Sequence, residues 1–140
     1  MARVQPILSW LDILQQEQKF EMTDGVSILE YWAKEVKEAQ ELLDGSSKFY
    51  HRGYRFQARL IFNATTQAQA NGLRVGYNQG IELTFTPDPQ EHPGITFKVR
   101  WINEWNFVYA YATRTDRYKG MIELEGTEIL TSIPDWITIL

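Results

Sequence analysis

Apolar positions recur along this chain at two different periods, and the change comes near residue 48. Behind Pro6, the apolar residues Ile7, Leu8, Leu11 and Leu14 fall at helical spacing, and Gln15, Gln16, Glu17 and Gln18 continue as a polar stretch. That pattern predicts a helix over 6–20, since proline suits a first helical turn. Leu29, Trp32, Val36, Ala39 and Leu43 mark one face of a second predicted helix over 27–44. Ser27 and Glu30 match a capping box, in which the hydroxyl and the carboxylate satisfy first-turn amides reciprocally. Gly45 is a natural helix stop, and Thr23, Asp24 and Gly25 read as the intervening turn.

From Phe49 the period becomes two. Tyr54, Phe56, Ala58, Leu60 and Phe62 alternate with Arg55, Gln57, Arg59 and Ile61, the signature of a strand with one face on a core. Asn71-Gly72 reads as a hairpin turn, with Leu73, Val75 and Tyr77 resuming alternation behind it. Gly76 and Gly80 weaken that strand and predict a bulge near Tyr77 to Gln79. Ile81, Leu83 and Phe85 form another strand, closed by Pro87 and Pro89. Ile95, Phe97, Val99 and Trp101 form the next, and residues 105–113 one more. Met121 to Glu125 is short and acidic, as suits a sheet edge.

This order predicts one α+β domain spanning 1–140. Two N-terminal helices pack on a five- to six-stranded antiparallel meander, with a partial barrel as the alternative architecture. Leu29, Val36, Phe56, Leu60, Phe97 and Val99 are expected in one core. The apolar end, with Trp136, Ile137 and Ile139 buried, is expected to dock on its own domain rather than on another chain, because an exposed end of that composition invites aggregation.

Composition narrows the chemistry. Hydrophobic residues at 44% and charged residues at 23% belong to a globular chain, whereas 14% aromatics is high enough to imply a thick core or a contact surface. The absence of cysteine excludes disulfides, thiolate nucleophiles and cysteine-held metals, and fits a reducing cytoplasm. Residues 1–14 offer neither a signal peptide nor a span, and Asn63-Ala64-Thr65 is read as a chance sequon. The two histidines, His51 and His92, are isolated and read as exposed loop residues. No metal site, cofactor motif, phosphate loop or nucleophile elbow is present. Glu123, Glu125 and Glu128 read as a solvated edge rather than an acid–base pair, so no catalytic residue is assigned.

Charge is uneven. Residues 1–47 carry −5, residues 48–118 carry +4 and residues 119–140 carry −3, for a net −4. Arg55 and Arg59 on one strand, with Lys98 and Arg100 on another, predict a cationic stripe on the sheet's non-core face, joined by Tyr109 and Tyr111 in one register. Arginine beside aromatic and aliphatic side chains has the composition of a protein interface. The sequence therefore predicts a non-enzymatic protein-binding module, an adaptor or assembly factor in the cytoplasm, receiving an acidic or carboxylate-bearing segment of another protein. The first rival is an apolar ligand in a curled-sheet cavity lined by Trp101, Trp105, Phe107, Tyr109 and Tyr111. A single-stranded nucleic acid is the second, disfavoured by a pI near 5.2.

Overall fold

The computed structural model describes residues 5–12, 14–22, 26–41, 43, 45, 47–79, 82–111 and 114–140, with the side chains of 38–41, 47–52, 110, 111 and 114–116 left out of the description. Among the described residues eight strands and one helix follow one another: β1 (Ile7–Leu11), β2 (Glu17–Glu21), β3 (Val26–Glu41), β4 (Ser47–Thr66), α1 (Gln67–Asn78), β5 (Leu83–Thr86), β6 (Phe97–Trp101), β7 (Val108–Tyr111) and β8 (Arg114–Gly126). All pairings between these strands are antiparallel, and the main path runs β2-β1-β5-β6-β8-β4-β3, with β7 attached to β8. The path does not follow chain order, so the sheet is not the expected five- to six-stranded meander.

The two expected N-terminal helices are strands. In β1 the inward residues are Leu8 and Trp10, and the Asp12 carboxylate closes the turn to β2 by accepting from the Leu14 and Gln16 amides, both at 2.9 Å. The Gln16 amide, then the Gln18 side chain and the Leu14 amide, hold the Asp12 carboxyl below its ordinary range despite an opposing desolvation effect. In β3, Leu29, Tyr31 and Ala33 turn inward while Glu30, Trp32 and Lys34 turn outward. Trp32 on the outer face imitates a helical stripe with Leu29 and Val36. Pairing along β4 overrides that local preference, because β4 lies inside the sheet and needs a hydrogen-bonded neighbour on each edge.

The expected strand at 73–77 is instead the helix. Thr66 is its N-cap, its hydroxyl accepting from the Gln69 amide at 3.3 Å, and Gln69, Ala70, Leu73 and Gly76 form the buried face. Thr66-x-x-Gln69 has the capping-box spacing. Gly72 and Gly76 cost helix propensity but permit close packing. A Cβ on Gly72 would collide with the Phe20 ring, and one on Gly76 would stand 3.1 Å from the Trp10 indole.

The core lies between the inner sheet face, α1 and the terminal segment. Phe56, Leu60, Phe97 and Val99 are buried there as expected, Leu29 packs at its margin, and Val36 is half-buried outside the cluster. Phe56 on β4 stacks on Phe97 of β6 at 4.0 Å and 2°, although β8 separates their strands. Gly126 of β8 lies opposite Val99, and its Cβ would come within 3.1 Å of the Phe56 backbone.

After β8 the chain continues beside β4, where Tyr54 and Leu130 exchange two backbone hydrogen bonds of 2.8 and 2.7 Å. It then reaches β3, where Ala33 donates to Thr138 and accepts from Leu140. Ile137 is buried, and the Trp136 ring meets His92 face-on at 4.0 Å and Tyr31 edge-on at 5.6 Å. Burial, then the nearby Asp88 charge, pushes the Tyr31 hydroxyl pKa up. Two expectations are corrected here. In the terminal segment Ile139 is 50% exposed and Trp136 only half-buried, and His92 is half-buried against an indole rather than free in a loop. His51's side chain lies outside the described residues.

Phe56→Ala should lower stability by about 3–5 kcal/mol in urea denaturation, the cost of a large core cavity. An unchanged midpoint would show that the ring is not part of the core. Deleting residues 134–140 should cost at least the burial of Ile137, about 1.5–3 kcal/mol, and raise binding of an apolar dye. Native stability in the truncated chain would refute this docking.

Candidate functional site

The alternation that turns half of each strand inward presents the other half on a face whose central residues are all exposed or half-buried. Register orders them into rows. Ile28, Ile61 and Met121 align across β3, β4 and β8. The next row is Glu30, Arg59 and Glu123, extended by Ile102, whose amide donates to the Glu123 carbonyl at 3.0 Å. Trp32, Gln57, Glu125 and Arg100 form a third, and Lys34 with Arg55 a fourth. Ile28 and Ile102 are 44% and 46% exposed.

The expected cationic stripe is interrupted. Arg55 and Arg59 on β4 do not neighbour Lys98 and Arg100 on β6, because β8 runs between them and carries Glu123 and Glu125. The segment expected at an acidic edge is thus central. Arg55 reaches Glu125 at 3.2 Å and the Gly126 carbonyl at 3.2 Å, and Arg100 reaches the same Glu125 oxygen at 3.5 Å. Arg59 approaches Glu123 at 4.0 Å, while Lys98 lies 3.5 Å from Glu128 and 4.0 Å from Glu82. The Lys98 pairs are exposed, and such pairs contribute little to stability, whereas Arg55, Arg59 and their glutamate partners are half-buried. Together the pairs make the face nearly charge-balanced.

Around Arg59 the face is dimpled, a hollow of about 120 Å³ between Trp32, Gln57, Ile102 and Glu123. The Arg59 guanidinium stands 5.9 Å from the Trp32 ring centre, and the Trp32 indole donates to Gln57 Oε1 at 2.9 Å. Arg59 Nε is buried without a hydrogen-bond partner. Trp32 escaped the sequence reading because it was placed on a helix.

Tyr109 does not join this face. It pairs with Tyr118, which lies opposite the buried Thr65, so both rings belong to the inner parity, 5.0 Å apart. The hydrogen bond with Tyr109, then desolvation and the neighbouring charge, raises the Tyr118 pKa. The Tyr111 side chain lies outside the described residues.

Of the expected cavity wall, Trp105 and Phe107 pack into a ring cluster, while Trp101 joins that cluster and also borders a cleft. Trp101, Trp105 and Phe107 contact one another in sequence, and Tyr77 of α1 meets Trp101 edge-on at 5.2 Å and Trp105 at 5.7 Å. The Trp101 indole nitrogen is buried without a hydrogen-bond partner. Among the described residues no group of three or more His, Asp or Glu side chains is placed to hold a metal ion, and no helix is long and apolar enough to cross a membrane.

No protein-family model matches the chain, and no curated protein matches it in sequence.

A double-mutant cycle on Arg55 and Glu125 should give a coupling of about 0.2–1 kcal/mol at low salt that shrinks in 1 M salt. A larger, salt-insensitive coupling would mean that this face is covered by another part of the molecule.

Proposed function

We propose that this protein is a non-enzymatic protein-binding module, an adaptor or assembly factor acting in the cytoplasm, and that its contact surface is the outer face centred on Arg59. The observation that carries this reading is the cross-strand row Ile28, Ile61 and Met121, flanked by Ile102, Trp32 and Arg59. Tryptophan, arginine and methionine are enriched where partners dock, and aligned aliphatic groups facing water gain free energy when covered. The near balance of charge favours a partner recognised by shape and apolar contact. Carboxylates at the margins of that partner's segment would meet the outward donors of Arg59 and Arg100, with Arg55 and Lys98 at the periphery.

Ile61→Asp combined with Arg59→Glu tests the reading. The wild-type protein should capture a defined partner, and the folded double variant should bind it at least about thirtyfold more weakly, as expected when an interface centre is lost. Equal capture by both proteins would remove this face as the site. Binding should fall only modestly between 50 and 200 mM salt. A steep, multi-phosphate salt dependence with labelled single strands would instead favour nucleic acid.

A further inference from the structure

A second concavity lies away from the Arg59 row, at the sheet end where β5 begins and β6 finishes, beside the last turn of α1. It has a volume of about 620 Å³, and Tyr77, Leu83, Trp101 and the bare backbone of Gly76 supply its apolar walls. Arg100, Glu82 and Thr127 supply its polar lip. That volume lies in the range of small-molecule sites. The Tyr77 and Trp101 rings meet at 75° and form a corner, against which a planar body can lie on one ring and abut the other.

The lip groups differ in what they have left to offer. Glu82 accepts from the Thr127 hydroxyl at 2.7 Å and lies 4.0 Å from Lys98, and Lys98 is held in turn by Glu128 at 3.5 Å. Arg100 is less well matched. It shares one oxygen of Glu125 with Arg55, and Arg55 has the shorter contact, 3.2 against 3.5 Å, plus the Gly126 carbonyl. Two guanidinium groups on one carboxylate leave positive charge in excess, and the Arg100 side chain is 61% exposed. Its remaining donors form a planar fork suited to a carboxylate. The Glu82 carboxylate and the carbonyl end of α1 oppose a bare anion here, so charge alone does not fill the site.

We propose that this cleft binds a small aromatic carboxylate, its ring in the Tyr77–Trp101 corner and its carboxylate on Arg100. The cleft shares Arg100 with the margin of the proposed protein-binding face, but the rings that define it lie apart from that face's centre, the Ile28, Ile61 and Met121 row.

The test is a nitrogen-15 NMR titration of the full chain with naphthalene-2-carboxylate, its neutral carboxamide and inorganic sulfate. The carboxylate should give saturable shifts at the Trp101 indole and the Gly76 amide. The carboxamide should bind about tenfold or more weakly, and sulfate should not compete. Arg100→Gln should lose a similar factor while Lys119→Gln does not. Absence of saturation up to roughly 5 mM, far weaker than a built site of this size would give, would overturn the proposal. So would equal affinity for carboxamide and carboxylate, competition by sulfate, or shifts confined to the Ile28, Ile61 and Met121 row. The carboxamide comparison uses the unaltered protein and decides the matter even if Arg100→Gln unfolds.

Discussion

The stack of Phe56 on Phe97 joins β4 to β6 across the strand that pairs with both. Their strands are not neighbours, and the rings meet across β8, which carries glycine at position 126 beside the Phe56 backbone. A Cβ there would stand 3.1 Å from the Phe56 backbone, since a strand glycine marks a point of close approach. The stack therefore depends on the register of β8, and alternation then dictates the rest of that strand. With Gly126, Leu124 and Ile122 inward, Glu125, Glu123 and Met121 face outward. The packing of the core and the chemistry of the outer face are one constraint seen from two sides.

The inner side is closed by elements that approach unusually near. Two helix glycines bring α1 down on Phe20 and Trp10, and the terminal segment brings Trp136 between Tyr31 and His92. Among the described residues nothing comparable covers the central outer ones. Their carboxylates and guanidinium groups neutralise one another within the sheet, which keeps an exposed face soluble while leaving its aliphatic row and Trp32 accessible. At the sheet end, the same Glu125 serves two arginines, and the imbalance falls on Arg100 beside the aromatic corner.

Local pattern was legible where one face of a strand is apolar and the other polar. β4 is such a case: Phe56, Ala58, Leu60 and Phe62 face in, as their alternation implies, and the same pattern identified β5 and β6. It misled in β3, because Trp32 is apolar on the outward face and because Glu, Lys and Ala favour helix locally. It misled again in α1, where Asn71-Gly72 resembles a hairpin although Thr66 and Gln69 carry the capping signal.

What the sequence by itself determined was which side chains share a face within a strand: Arg55 with Arg59, Lys98 with Arg100, Glu123 with Glu125. Those pairings follow from a two-residue period and need no partner strand. What only the tertiary structure decided was the order of the strands. Placing β8 between β4 and β6 converted an expected cationic stripe into a balanced lattice, and the packing of α1 set Tyr77 against Trp101. Strand order is set by contacts between residues far apart in the chain, here Phe56 with Phe97 across Gly126. No local period encodes a contact of that separation.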